Sequence, residues 1–242
     1  MAALSRTLAP SAVPAILRSL ATPVLDFLLP QRCPGCGVPA SPERLLCERC
    51  LARIPRLATP LCARCLVRGG DGSPCSRHDG YAVHAPWQLD ERSREIVHAL
   101  KYGERPSLAR ALGGELAGAL PKPWRRPDLV LAVPLHAARR RERGYNQAEA
   151  LSVALAGALR SPHATGLLVR VRATSAQAQL GGEARRRNLA GAFAAPDGAV
   201  LKGRRVLLVD DVLTTGATLE SALGVVRAAG ARAAGVALAW AP

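Results

Sequence analysis

The stretch VLLVDDVLTTGATL, residues 206–219, sets two adjacent carboxylates, Asp210 and Asp211, at the end of an apolar run and follows them with hydroxyls and a glycine. A buried strand that ends in two acids presents them at the carboxyl edge of a sheet, where open α/β sheets bind their ligands. The next residues, Thr214, Thr215, Gly216, Ala217 and Thr218, offer successive backbone N–H groups where a helix begins. Gly216 permits the dihedral angles of a backbone nest and the hydroxyls add donors, so the loop favours a phosphate. Like charges repel, so the acids cannot serve that phosphate. They suit a neighbouring vicinal diol, whose hydroxyls donate, or a Mg2+ ion. A pentose with a 5-phosphate and free 2- and 3-hydroxyls satisfies the whole constellation. A nucleotide-hydrolysing site would pair such a strand end with GxxxxGK[ST], and no such segment occurs. A phospho-acceptor receiver gives TTGAT no task, and simple helix capping explains the acids and the threonines only singly.

A second constellation could hold metal. The pairs Cys33-x2-Cys36, Cys47-x2-Cys50, Cys62-x2-Cys65 and Cys75-x2-His78 follow one another along 46 residues of chain, from 33 to 78. One half supplies four thiolates and the other three thiolates and an imidazole, and either set suits tetrahedral Zn2+. One or two zinc ions are expected, because His78 could instead be an ordinary loop histidine. Spacing leaves open whether the halves pair sequentially or interleave. Protein donors fill every position, so the zinc is expected to be structural. Seven cysteines, an odd number, fit metal binding in a reducing compartment better than a disulfide framework, which predicts a cytoplasmic location.

The elements that must position these groups read as an α/β alternation. Helical spacing covers 91–104, with Ile96, Val97 and Leu100 on one face, then 107–120, then 146–159 with Asn146 as N-cap, and 217–230 ending at Gly230. Strands are predicted at 128–134, 166–171, 204–210 and 231–240. Such alternation predicts a doubly wound parallel sheet. Composition shifts near residues 30 and 80 divide the chain into an N-terminal amphipathic segment (1–30), a cysteine-rich zinc ribbon module, single or double (31–80), and an α/β domain (81–242). The first segment is interrupted by Arg18 and prolines and lacks a clear cleavage site, so it reads as one or two amphipathic helices rather than a signal peptide. No run of 18 apolar residues is present, so no membrane span is expected.

Net charge is +15, from 33 basic residues of which 30 are Arg. Basic clusters at 138–144, 170–172, 184–187 and 202–205 suit phosphate-bearing partners, nucleotides or nucleic acid, although each singly fits a solvated face. Aromatics make up only 3% of the chain, which weighs against a dedicated single-strand binder that stacks bases.

The acidic stretch resembles the phosphoribosyl pyrophosphate (PRPP) motif of phosphoribosyltransferases. Together with VPLHAARRRERGYNQAEAL (133–151), RVRATSAQAQLGGEARRRNLAGAF (170–193) and the cysteine knuckles ahead of them, it resembles the ComF/GntX family of competence-associated proteins, in the same order over residues 25–242. The resemblance implies a type I phosphoribosyltransferase-like fold with an N-terminal zinc ribbon, and a link to natural transformation, in which members are thought to help bring single-stranded DNA into the cytoplasm. By resemblance, Asp210 and Asp211 bind the ribose hydroxyls and residues 214–218 the 5-phosphate. Leu135 and His136, in VPLH, would meet the pyrophosphate and its Mg2+, with Arg139 or Arg143 neutralising charge. His136 could equally be a loop histidine with only a structural hydrogen bond. Arg172, Thr174, Gln177, Arg185 and Asn188 would belong to a lid over PRPP or to a DNA-contacting loop, and Lys101 and Tyr102 would line the site from a hood. The implied chemistry is Mg2+-assisted loss of pyrophosphate from C1, served by Asp210, Asp211 and His136, with attack by an unidentified nitrogenous acceptor. The alternative is a non-catalytic module that binds PRPP or single-stranded DNA beside a DNA-uptake helicase.

Overall fold

The computed structural model describes residues 31–40, 45–57, 60–67, 75, 77–102, 106–172 and 182–242, with backbone alone for Pro106, Glu142, Arg143 and Gly182. The amphipathic segment expected at 1–30, together with Thr174 and Gln177, lies outside the described residues.

In chain order the elements are α1 (Glu48–Arg53), β1 (Leu61–Cys62), β2 (Ala82–His84), β3 (Trp87–Gln88), α2 (Glu91–Tyr102), α3 (Pro106–Gly118), β4 (Leu129–Ala132), α4 (Ala137–Arg143), α5 (Gln147–Leu159), β5 (His163–Ala164), β6 (Val169–Arg170), α6 (Gly182–Leu189), β7 (Phe193–Ala194), β8 (Arg205–Leu213), α7 (Ala217–Ala228) and β9 (Arg232–Trp240). None of the helices among the described residues is long and apolar enough to cross a membrane.

Seven strands form one sheet in the order β1-β2-β9-β8-β4-β5, with β3 also paired to β9. All pairings in it are parallel except β1 with β2. Its two longest strands, β8 and β9, are apolar on both faces because the sheet is covered on both, as parallel sheets require. On one face Ile96, Leu100, Leu112 and Leu155 of α2, α3 and α5 pack with Leu207 and Val209, and Cys33, Cys50 and Ile54 from the cysteine region enter the same cluster. On the other face Leu219, Leu223 and Val226 of α7 pack with Val206 and Leu208. Asn146 does cap α5, its side chain accepting from the Ala148 N–H at 3.1 Å.

Three segments depart from the sequence expectations. The strand expected at 166–171 shrinks to Val169–Arg170 and leaves the parallel sheet, pairing antiparallel with β7 in a separate hairpin. Gly166, at φ 80°, turns the chain out of extended geometry ahead of it. The edge strand β5, only two residues long, was too short to carry a period-two signal. Finally, β8 does not end at Asp210. It runs to Leu213 because β9 keeps pairing with it, Val212 opposite Ala239 and Leu213 opposite Trp240, whereas β4 stops at Ala132 opposite Val209.

The chain leaves β4 for β5 on one side and β8 for β9 on the other. The carboxyl ends of β4 and β8 therefore flank a topological switch point, where a crevice opens. The acidic pair sits there.

Candidate functional site

Beyond Val209, β8 has a partner on one flank only, and Asp210 and Asp211 occupy that one-sided stretch. Ahead of them Leu208 packs on the α7 face and Val209 on the α2 face, and Asp211 reaches α2 through Lys101. Each carboxylate accepts the next backbone N–H, Asp211 N to Asp210 Oδ1 at 2.9 Å and Val212 N to Asp211 Oδ1 at 2.7 Å. Lys101, at the end of α2, pairs with Asp211 at 3.2 Å. Burial pushes the Asp210 carboxyl up to about 7 and the Asp211 charge pushes the same way, while Lys101 opposes them. Asp210 is thus poised to change charge near neutrality.

After β8 the chain turns through Thr214 and Thr215 to Gly216, which holds φ 77° and starts α7 without a side-chain cap. The uncapped first turn leaves N–H donors and the positive end of the helix dipole for an anion. Thr214 Oγ1 accepts from Arg185 of α6 at 3.2 Å, so a guanidinium already leans over the loop.

Across the crevice, the segment 133–136 follows β4. Its Val133 carbonyl accepts from Asn146 Nδ2 at 3.1 Å, so one side chain both caps α5 and ties this loop. His136 caps α4, with Nδ1 accepting from the Ala138 N–H at 3.3 Å. That bond is structural and leaves Nε2 as the ring's donor. Leu135, His136 and Arg139 are half-buried. Arg143 has no described side chain. A cavity of about 260 Å3 beside the loop is lined by Pro134, Leu135, Arg140, Glu149 and Arg170 among others. Arg140 pairs with Glu149 at 3.3 Å. Arg170 lies over the Phe193 ring at 5.5 Å, and it feels the repulsion of Arg139 and the attraction of Asp210.

Of the expected lid residues, Arg185 reaches the 214–218 loop. Arg172 donates to the carbonyls of Asn188 and Ala190, both at 2.7 Å. Sequence reasoning missed the bracing of Lys101. The Tyr145 hydroxyl donates to the Leu100 carbonyl, and Gln147 Nε2 donates to the Lys101 carbonyl at 3.3 Å. These residues stand in the RGYNQ segment, so the signal was present, but their targets lie 45 and 46 positions away.

The cysteine clusters pair sequentially. Cys33, Cys36, Cys47 and Cys50 form one group, and Cys62, Cys65, Cys75 and His78 the other, with ligand atoms within 4.8 Å of one another in each. His78 is therefore a donor, its Nδ1 lying 3.3 Å from Cys75 Sγ and 3.6 Å from Cys62 Sγ. Both sets offer four donors and leave no open position, so they fit structural Zn2+.

A double zinc ribbon family model matches residues 24–77 and a phosphoribosyl transferase domain model matches 141–242. The DNA utilization protein YhgH of Escherichia coli O157:H7 is 33% identical over 192 residues, 77% of this chain and 74% of that protein. Competence protein F of Haemophilus influenzae is 42% identical over 108 residues, 43% of this chain and 46% of that protein. Among solved structures, the B. subtilis glutamine PRPP amidotransferase complexed with ADP and GMP is similar with a TM-score of 0.39 at 23% identity, over 58% of this chain and 30% of that one. The sheet with its helices has the phosphoribosyltransferase fold, and its cysteine clusters are a structural double zinc ribbon. With that order of domains and a relative matched over most of both chains, the chain belongs to the ComF family.

Proposed function

We propose that the crevice between β4 and β8 binds PRPP with Mg2+, and that the protein transfers the phosphoribosyl group to a nitrogenous acceptor in the service of DNA uptake or use. The observation that carries this reading is the pairing of two carboxylates with an uncapped, glycine-started helix on one strand end at the switch point. Asp210 and Asp211 accept from the ribose hydroxyls, Lys101 orients Asp211, and residues 214–218 hold the 5-phosphate with Arg185 above it. The segment 133–136 meets the pyrophosphate, with His136 Nε2 donating and Arg139 adding positive charge. Mg2+ would neutralise the pyrophosphate and ease its departure from C1. The protein's part is alignment and charge complementarity rather than covalent chemistry.

Calorimetric titration of PRPP with Mg2+ tests the reading. Wild type should bind, and Asp210→Asn with Asp211→Asn should weaken binding about 100-fold, the loss of two charge-assisted hydrogen bonds at roughly 1.5 kcal/mol each. Below pH 7 Asp210 is protonated and accepts poorly, so affinity should rise as pH climbs through about 7, and Asp210→Asn should remove that part of the pH dependence. Equal affinity in the double variant sinks the reading.

One observation favours a second, compatible function. Arg125, Arg126, Arg160 and Arg205 surround a cavity of about 630 Å3 at the amino ends of the strands, opposite the acid pair. Sequence positions far apart converge there, which suits a nucleic-acid backbone. Single-stranded DNA binding that falls steeply with salt and ignores saturating PRPP would support it.

A further inference from the structure

The anion loop is built against the second zinc knuckle. A Cβ added at Gly216 would overlap the carbonyl oxygen of Ala63, which lies between Cys62 and Cys65. Ala63 is fully buried, and its N–H donates to the Tyr81 carbonyl at 2.8 Å. That carbonyl therefore cannot retreat. The next residue, Arg64, lies over the Tyr81 ring at 5.1 Å and donates through Nε to Glu220 Oε1 at 2.8 Å. Glu220 stands in the first turn of α7 and takes Arg186 Nε on its other oxygen at 2.7 Å. Arg186, on α6, also donates to the carbonyls of Arg64 and, at 3.4 Å, Thr215. One carboxylate thus joins a metal knuckle, the helix that begins the anion site and the arm carrying Arg185. Alone, a carboxylate in that first turn would sit beside a bound phosphate and oppose it. Two guanidiniums outweigh it and leave the turn net positive.

We propose that the second zinc knuckle is a working wall of the sugar-phosphate site, with Arg64, Glu220 and Arg186 as positioning residues that set the anion loop through it. Zinc closes the turn that holds Ala63 against Gly216, so occupancy of this cluster and ligand binding at the loop are coupled, each favouring the other. The inference rests on the PRPP reading.

The test uses the full zinc-loaded chain. PRPP with Mg2+ is titrated into wild type, Arg64→Ala and Glu220→Gln, and each variant should bind about tenfold more weakly. With Cd2+ in both clusters, PRPP should shift the cadmium NMR resonance of the Cys62–His78 cluster and leave that of the Cys33–Cys50 cluster in place. A merely structural brace would not produce that selective shift. Should Glu220→Gln fail to fold, Arg64→Ala and the cadmium spectrum decide. Variants that bind like wild type, or a second-cluster resonance that ignores PRPP, overturn this inference while leaving the PRPP reading intact. Failure of wild type to bind PRPP overturns both.

Discussion

The two zinc knuckles are the same local device put to different uses. In the first, Gly37 N donates to Cys33 O at 2.8 Å and Cys33 N to Val38 O at 2.9 Å; in the second, Leu66 N donates to Cys62 O at 2.8 Å and Cys62 N to Val67 O at 3.1 Å. The equivalent left-handed position is Gly37 at φ 72° in one and Leu66 at φ 57° in the other. Their surroundings differ. The first cluster sinks Cys33 and Cys50 into the core that holds Trp87, Ile96 and Leu112. The second gives β1 to the sheet edge and turns its Ala63 carbonyl toward Gly216. Leu66 lies against the other core, and that contact offsets a backbone cost of about 1–2 kcal/mol. One zinc turn completes the interior, and its sister borders the crevice.

The largest effect should follow from disabling the first cluster. Cys50→Ser removes a donor that is 1% exposed and should cost on the order of 5 kcal/mol, comparable with a whole domain's stability. Thermal unfolding followed by circular dichroism reads this, and a midpoint within about 3 °C of wild type would break the comparison. His78→Ala should be milder for the fold, roughly 1–3 kcal/mol, because it opens a half-buried site nearer the sheet edge. Its principal effect should appear in PRPP affinity, and a melting loss as deep as that of Cys50→Ser would erase the distinction. The smallest effect sharpens the turn comparison. Gly37→Leu places a side chain in open space, with nothing within 4 Å of its Cβ, so it should lose about 1 kcal/mol with no packing to offset it. An unchanged chemical-denaturation midpoint would show that the left-handed position carries no strain.

Features written in a few consecutive residues were legible without coordinates. The cysteine spacing announced tetrahedral donors, Asn146 announced the start of α5, and the run into Asp210 and Asp211 announced an acidic end to a buried strand. What escaped depends on partners remote in the chain. The extension of β8 to Leu213 is imposed by β9, and no signal within 210–213 distinguishes strand from loop. The hairpin of β6 and β7 needs Phe193 opposite Arg170. The Arg64–Glu220 contact spans 156 positions, and nothing around either residue marks it. The partners of Arg172, the carbonyls of Asn188 and Ala190, are likewise remote in the chain and unmarked in the basic run that holds it.

The lopsided support of β8 has a mechanical consequence. The jaw bearing the two acids is welded to its neighbour as far as Leu213, while the opposing jaw, residues 133–136, leaves β4 at Ala132 and is tied back at Val133, whose N–H donates to Val209 O at 2.8 Å and whose carbonyl accepts from Asn146. The acidic side of the cleft is thus the stiffer of the two, an anvil against which the more lightly held segment works.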